Sequence, residues 1–218
     1  MADTGDQLLR EVEEDLQREQ WLRLWNTYGR YAVTAIVLVI VIVAGYMGYQ
    51  EYRQSQLAAD GHSFWVAERN MTLGETDQAV AIFRSLVEDG AEGYPYLAGL
   101  RAAEALAASG DRDGALALYD QLSNEQGLEQ RYRQLAALYG VMLLVDEGDP
   151  VDVENRIEPL LQGDWRHSAM EMQGLLQLRT GDRVAAAETF TALIADPNTP
   201  TTLRNRAAEL LSIAGGGS

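Results

Sequence analysis

The sequence predicts an all-α protein: one N-terminal membrane-spanning helix, then a stack of about four helical hairpins closed by a C-terminal capping helix. Three observations carry this. Residues 31–50 contain no charged side chain, a glycine followed by an acidic residue recurs four times, and apolar side chains follow each of those glycines in one register.

The apolar block reads YAVTAIVLVIVIVAGYMGYQ, between Arg30 and Glu51. A hydrocarbon layer roughly 30 Å thick needs about 20 residues at about 1.5 Å each, which fits one spanning helix. Such a helix satisfies its own backbone hydrogen bonds in lipid, even through the β-branched run at 36–43. Trp21, Trp25, Tyr28 and Tyr31 enter it and Tyr46, Tyr49 and Tyr52 leave it, as expected of rings at the headgroup layer. About 30 polar residues precede the block and no convincing small-x-small cleavage site follows, so it reads as a retained signal anchor rather than a cleaved signal. Arg10, Arg18, Arg23 and Arg30 precede it, while only Arg53 and Arg69 fall in the twenty residues after it. The positive-inside rule therefore puts residues 1–30 in the cytoplasm and the larger part outside.

Upstream, Leu9, Val12 and Leu16 are spaced for one face of an acidic amphipathic helix, a solvated extension of the anchor or a contact for a cytoplasmic partner. Ala44 and Gly48 form a small-xxx-small pair suited to close approach of a second membrane helix.

Composition excludes several functions. The 218 residues contain no cysteine and no lysine, and the formal net charge is −16. Without cysteine there is no disulfide and no thiolate metal site. From Glu51 onward 26 acidic residues face 13 arginines, a net of about −13. That field repels phosphate backbones and anionic lipid, which argues against nucleic acid as a partner. The two histidines, His62 and His167, have no second histidine at metal spacing. Asp111-Arg112-Asp113-Gly114 lacks the twelve-residue frame of a calcium loop and reads as a helix turn. No phosphate-cradling glycine loop or serine elbow is present. The expectation is a non-enzymatic protein without cofactor or metal.

The repeat sets the fold of residues 51–214. Gly74, Gly110, Gly148 and Gly181 lie 36, 38 and 33 residues apart. Five residues on stand Ala79, Ala115, Val153 and Ala186; nine on, Phe83, Tyr119, Ile157 and Phe190; twelve on, Leu86, Leu122, Leu160 and Leu193. Each glycine is expected to end a helix in the left-handed conformation, and the acidic residue after it to open the next helix where the dipole favours negative charge. The small residue lets two backbones approach, the large one a turn later fills the groove, and the leucine seals the hairpin. First helices are expected over 62–71, 96–108, 128–145 and 168–178, and a polar capping helix over 203–213. Residues 215–218, Gly-Gly-Gly-Ser, read as a flexible linker or cloning scar.

The segments LGETDQAVAIFRSL (73–86), SGDRDGALALYDQL (109–122) and TGDRVAAAETFTAL (180–193) resemble the tetratricopeptide repeat, with GDPVDVENRIEPLL (148–161) as a degenerate copy. That resemblance implies a right-handed stack. EQWLRLWNTYGRY (19–31), the anchor, EYRQSQ (51–56) and the repeats in this order resemble the YfgM family. What this resemblance implies is an ancillary subunit of the SecYEG translocon in the bacterial inner membrane. It would carry a periplasmic repeat domain and work with a PpiD-like chaperone on client polypeptides. The rival expectation is a structural or assembly subunit of another inner-membrane complex, respiratory or envelope-biogenic.

Hairpin stacks bind extended or helical peptides along their first helices. Tyr94, Tyr96, Arg101, Arg131, Tyr132 and Arg133 are the expected protein-binding residues there, since tyrosine and arginine are frequent interface anchors. The competing expectation is that the tyrosines beside Pro95 pack a loop and the arginines pair with local carboxylates.

Overall fold

A computed structural model describes the backbone of residues 3–215, and side chains for residues 25, 26, 28–31 and 33–215. Among the described residues the chain forms nine α-helices and one 3-10 turn, with no strand. The helices are α1 (Asp3–Thr72), α2 (Thr76–Asp89), α3 (Tyr94–Ser109), α4 (Arg112–Asn124), α5 (Gln130–Leu144), α6 (Pro150–Ile157), α7 (Arg166–Thr180), α8 (Arg183–Ala195) and α9 (Thr201–Gly215). The 3-10 turn, Glu158–Gln162, extends α6. The chain divides into two compact units after Gln56.

The first unit holds α1 up to Gln56, and α1 is the one helix among the described residues long and apolar enough to cross a membrane. The large side chains from Ile36 to Val43 are all exposed within the chain, as are Tyr46, Met47, Tyr49 and Tyr52. Such a strip suits lipid rather than water. The acidic amphipathic face at Leu9, Val12 and Leu16, the ring of Trp21 and residues 216–218 lie outside what is described.

In the second unit, residues 57–72 of α1 pair with α2, and α3–α4, α5–α6 and α7–α8 make three further hairpins. The first hairpin differs from expectation at its start. Its first helix is not a separate element at 62–71 but the end of α1, because nothing between Glu51 and His62 breaks a helix except the tolerated Gly61. The other first helices fall within two residues of the spans expected for them.

The repeat register is the core. Ala79, Ala115, Val153 and Ala186 are fully buried, as are Phe83 and Phe190; Ile157 and Tyr119 are nearly so. The four leucines that seal the hairpins are at most 6% exposed. A second register lies seven residues before each glycine: Ala67, Ala103, Val141 and Gly174, all buried. Each shares its cluster with, or lies against, the large residue nine after the same glycine. The volumes compensate. Alanine faces Phe83 and Tyr119, glycine faces Phe190, and the larger valine faces the smaller Ile157. A Cβ added at Gly174 would stand 2.5 Å from the Phe190 ring, so only glycine admits that phenylalanine.

Three of the four hinges turn as expected: Gly74, Gly110 and Gly181 have φ of 77°, 94° and 88°. Gly148 does not, which corrects the expectation of four equal hinges. Its amide donates to the Leu144 carbonyl, and a Cβ there would meet that oxygen at 2.8 Å. Glycine is needed at this turn for close approach rather than for a left-handed backbone. Pro150 at the first turn of α6 places Asp149 in an extended conformation and starts the helix without the left-handed step.

The acidic residues at the hinges act mainly as hydrogen-bonding caps. Asp111, Asp149 and Asp182 accept backbone N–H bonds from Gly114, from Val151 and Asp152, and from Ala185. Glu75 makes no side-chain cap.

Side chains also link successive hairpins. Tyr96 donates to the Tyr132 carbonyl at 2.9 Å, Trp165 to the Arg131 carbonyl at 2.8 Å, and Arg156 bridges to Asp120 at 2.6 Å. Arg112 and Arg183, each two residues after a glycine, donate to the carbonyls of Leu143 and Ile213 near the ends of α5 and α9. α9 thus occupies the place of a fifth first helix. It buries Leu203, Ala207 and Ala214 and exposes Thr201, Thr202, Asn205 and Glu209.

Candidate functional site

An opening along the first helices runs from the end of α1 across α3 to α5, with Tyr119 of α4 in its wall. One cavity of about 670 Å³ is lined by Phe64, Leu97, Leu100, Arg101, Glu104, Tyr119 and Tyr139. A second of about 260 Å³ shares Arg101 and Glu104 and adds Glu68, Met71, Thr72 and Phe83. Together they form one groove.

Helix geometry explains the lining. Leu97, Arg101 and Glu104 follow at four and three residues and share one face of α3. The adjacent face, about 100° round the helix, carries Ala98, Ala102 and Ala105, which are buried. Tyr139 stacks on Tyr119, rings 5.7 Å apart at 29°, and remains 37% exposed. Burial pushes the Tyr119 hydroxyl up to about 12. Leu97 and Met142 are about half exposed. An incoming apolar side chain would gain about 25 cal/mol for each Å² it hides.

The charge is local and asymmetric. Arg101 Nε lies 2.8 Å from Glu68 and Nη1 lies 2.6 Å from Glu104. Its pKa is raised, chiefly by the hydrogen bond to Glu104. One guanidinium thus faces two carboxylates, and no other charged side chain is among the lining residues of the two cavities.

The six expected binding residues are placed differently from one another. Arg101 lines the groove. Tyr132 is 40% exposed, at the start of α5. Arg131 reaches back to Glu129 and lies over the Tyr132 ring at 5.6 Å. Arg133 is partly buried, and its Nε is enclosed without a hydrogen bond. Tyr96 is 7% exposed inside the stack, its hydroxyl pushed up to about 12 by burial. Tyr94 packs 6.1 Å from Phe64, with its hydroxyl against Gly61. In the first unit Ala44 and Gly48 are exposed, and nothing approaches Gly48 within 4 Å of where a Cβ would stand.

The sequence reasoning missed Phe64, Glu68, Leu97, Glu104 and Tyr139. A signal was present. Arg101 and Tyr139 each stand nine residues before their glycine, and Glu68, Glu104 and Met142 each stand six before. These positions vary in chemistry where the core positions do not.

Two other openings are present. One of about 570 Å³, beside α6 and α7, is lined by Glu154, Asn155, Glu158, Gln173, Gln177 and neighbouring residues. One of about 650 Å³ lies along α8 and the end of α9, beside the exposed Val184. Among the described residues no group of three or more His, Cys, Asp or Glu is gathered for a metal ion.

A stack of helical hairpins with an open groove across its first helices defines a protein-interaction scaffold. The chain belongs to the Tetratricopeptide repeat-like domain family, whose sequence model matches residues 22–207. No curated protein and no solved structure gives a match. Repeat domains of this kind typically act as non-catalytic scaffolds for protein–protein contact.

Proposed function

We propose that this chain is a non-enzymatic adaptor tethered to the bacterial inner membrane, with the repeat domain in the periplasm. In this reading residues 1–30 lie in the cytoplasm, 31–50 span the bilayer and 51–214 form the binding domain. The partners are the SecYEG translocon, a PpiD-like periplasmic chaperone and the client polypeptides that pass between them. The observation that carries the reading is the groove over Phe64, Leu97, Arg101 and Tyr139, in a chain with one candidate anchor helix. The resemblance of the segment order to the YfgM family suggests the partner names.

A photo-crosslinking residue placed at Leu97 or Tyr139 in living cells tests this. The expected products join the chain to a Sec component, a periplasmic chaperone or an exported protein. Products free of all three would reject the reading.

The exposed Ala44–Gly48 pair favours a second reading, a subunit held in another membrane complex by helix packing. Replacing residues 31–49 by an unrelated span separates the two. The adaptor keeps most of its binding, whereas the packed subunit loses its complex.

A further inference from the structure

We infer that the groove between the end of α1, α3 and α5 takes a cationic amphipathic segment of a partner protein, one that sets lysine or arginine beside an apolar or aromatic side chain. This rests on the adaptor reading and adds the chemistry of what is bound.

Charge selects the ligand first. Arg101 already lies against Glu68 at 2.8 Å and Glu104 at 2.6 Å, so its positive charge is committed and one carboxylate charge is left over. Glu104 is more than half exposed and can receive a second cation without leaving Arg101. An acidic segment would instead meet two carboxylates and compete with both for one guanidinium. As the groove closes over a ligand and water leaves, that preference sharpens. The surrounding excess of acidic residues, a net of about −13 from Glu51 on, draws cations toward the groove from a distance.

Apolar surface selects the rest of the ligand. Leu97, Tyr139 and Met142 are exposed, and the cavity of about 670 Å³ has Phe64, Leu100 and Tyr119 among its lining. A purely cationic peptide would leave this part wet. A segment with one large apolar residue about a helical turn from its cation fills it.

Charge also sets aside a second copy of the chain as occupant. Each copy has a net charge of −16, so two copies repel. Anionic lipid is disfavoured for the same reason.

The test uses the full chain in detergent micelles or nanodiscs and two labelled peptides of identical apolar sequence, one carrying lysines and the other glutamates. Fluorescence anisotropy is expected to show binding of the lysine peptide only, weakening as salt is raised. Glu104→Gln and Glu68→Gln are each expected to weaken it about 1.5- to fivefold, the worth of one solvent-accessible ion pair. Leu97→Ala is expected to weaken both low-salt and high-salt binding, because it removes apolar area instead of charge. Glu188→Gln, on α8, should change nothing. Circular dichroism melts confirm that each variant is folded.

Equal or tighter binding of the glutamate peptide would overturn the inference, as would indifference to both glutamine substitutions. Self-association that Tyr139→Ala abolishes would also overturn it. Failure here is distinguishable from failure of the adaptor reading. In-cell crosslinks from Leu97 that reach Sec or chaperone components through uncharged or acidic segments leave the adaptor standing and remove the cationic ligand. Lysine-peptide binding without those crosslinks does the reverse.

Discussion

The fourth hairpin, α7–α8, and the third, α5–α6, solve one packing problem with different chemistry. The fourth turns at Gly181 with φ +88°, caps α8 through Asp182, and sets glycine 174 beneath Phe190. The third turns at a glycine held close to the Leu144 carbonyl, starts α6 with proline, and sets Val141 beneath Ile157. Its second helix is only eight residues long and passes into a 3-10 turn at Pro159. Yet Val153, Ile157 and Leu160 are as buried as Ala186, Phe190 and Leu193. What the two hairpins share is the position of three apolar side chains packed against a first helix. The hinge is free to vary as long as it delivers them.

The largest effect should come from emptying the fourth hairpin. Phe190→Ala removes a fully buried ring from a site whose floor is a glycine, so little can collapse into the space. A loss of about 3–5 kcal/mol is expected by denaturant unfolding. Ile157→Val in the third hairpin removes one methylene and should cost only about 0.5–1.5 kcal/mol. If the two losses were equal, the account of small-beneath-large packing would fail.

A sharper test exchanges the two solutions. Ile157→Phe overfills the site above Val141 and should cost about 1–3 kcal/mol. Val141→Ala alone leaves a small void beneath Ile157. Together they recreate the pairing of Ala67 with Phe83, and the double variant should be more stable than the two single losses predict, with a coupling of about 1 kcal/mol or more. Additive losses would mean that the valine and isoleucine do not compensate each other.

These volumes mark how far the sequence could be read. The positions five, nine and twelve residues after each glycine were legible because burial keeps them apolar in every copy. The position seven before was not, because Ala67, Ala103, Val141 and Gly174 look unrelated until each is paired with its partner. The hinge at Gly148 was misread for a similar reason. A glycine needed for a left-handed turn and a glycine needed for close approach are the same letter. The membrane helix was legible from length and hydropathy alone. The groove was legible only as a general location on the first helices. Its lining at Leu97, Glu104 and Tyr139 faces outward and obeys no packing rule that would fix its chemistry. Tyr96 and Arg101 were equivalent candidates in the sequence, yet five residues of helix turn one into the stack and the other into the groove.

Smaller effects should separate the hinges by their caps. Asp182→Ala removes the side chain that accepts the Ala185 amide and should cost about 1 kcal/mol. Glu75→Ala removes no cap bond and should fall within about 0.5 kcal/mol of the parent. The extra methylene of glutamate is the physical difference, and Glu75→Asp should stabilise the first hairpin if the reading is right.

The smallest effect concerns acid. Asp196, where the fourth hairpin meets α9, accepts hydrogen bonds from the Asn198 amide at 2.8 Å and from Arg166, with His167 Nε2 at 3.1 Å. The Asn198 amide first, and His167 next, hold its carboxyl below the ordinary value of 3.8. A carboxylate with a lowered folded pKa binds fewer protons folded than unfolded in that window. Its contribution is therefore complete above the ordinary value and disappears as pH falls through the lowered one. Asp196→Asn should be slightly less stable than the parent at neutral pH, and the gap should close below about pH 4. Thermal melts from pH 7 to pH 2.5 would read this directly. A gap that stays constant to the lowest pH would mean that the asparagine disturbs packing between the fourth hairpin and α9 instead of charge.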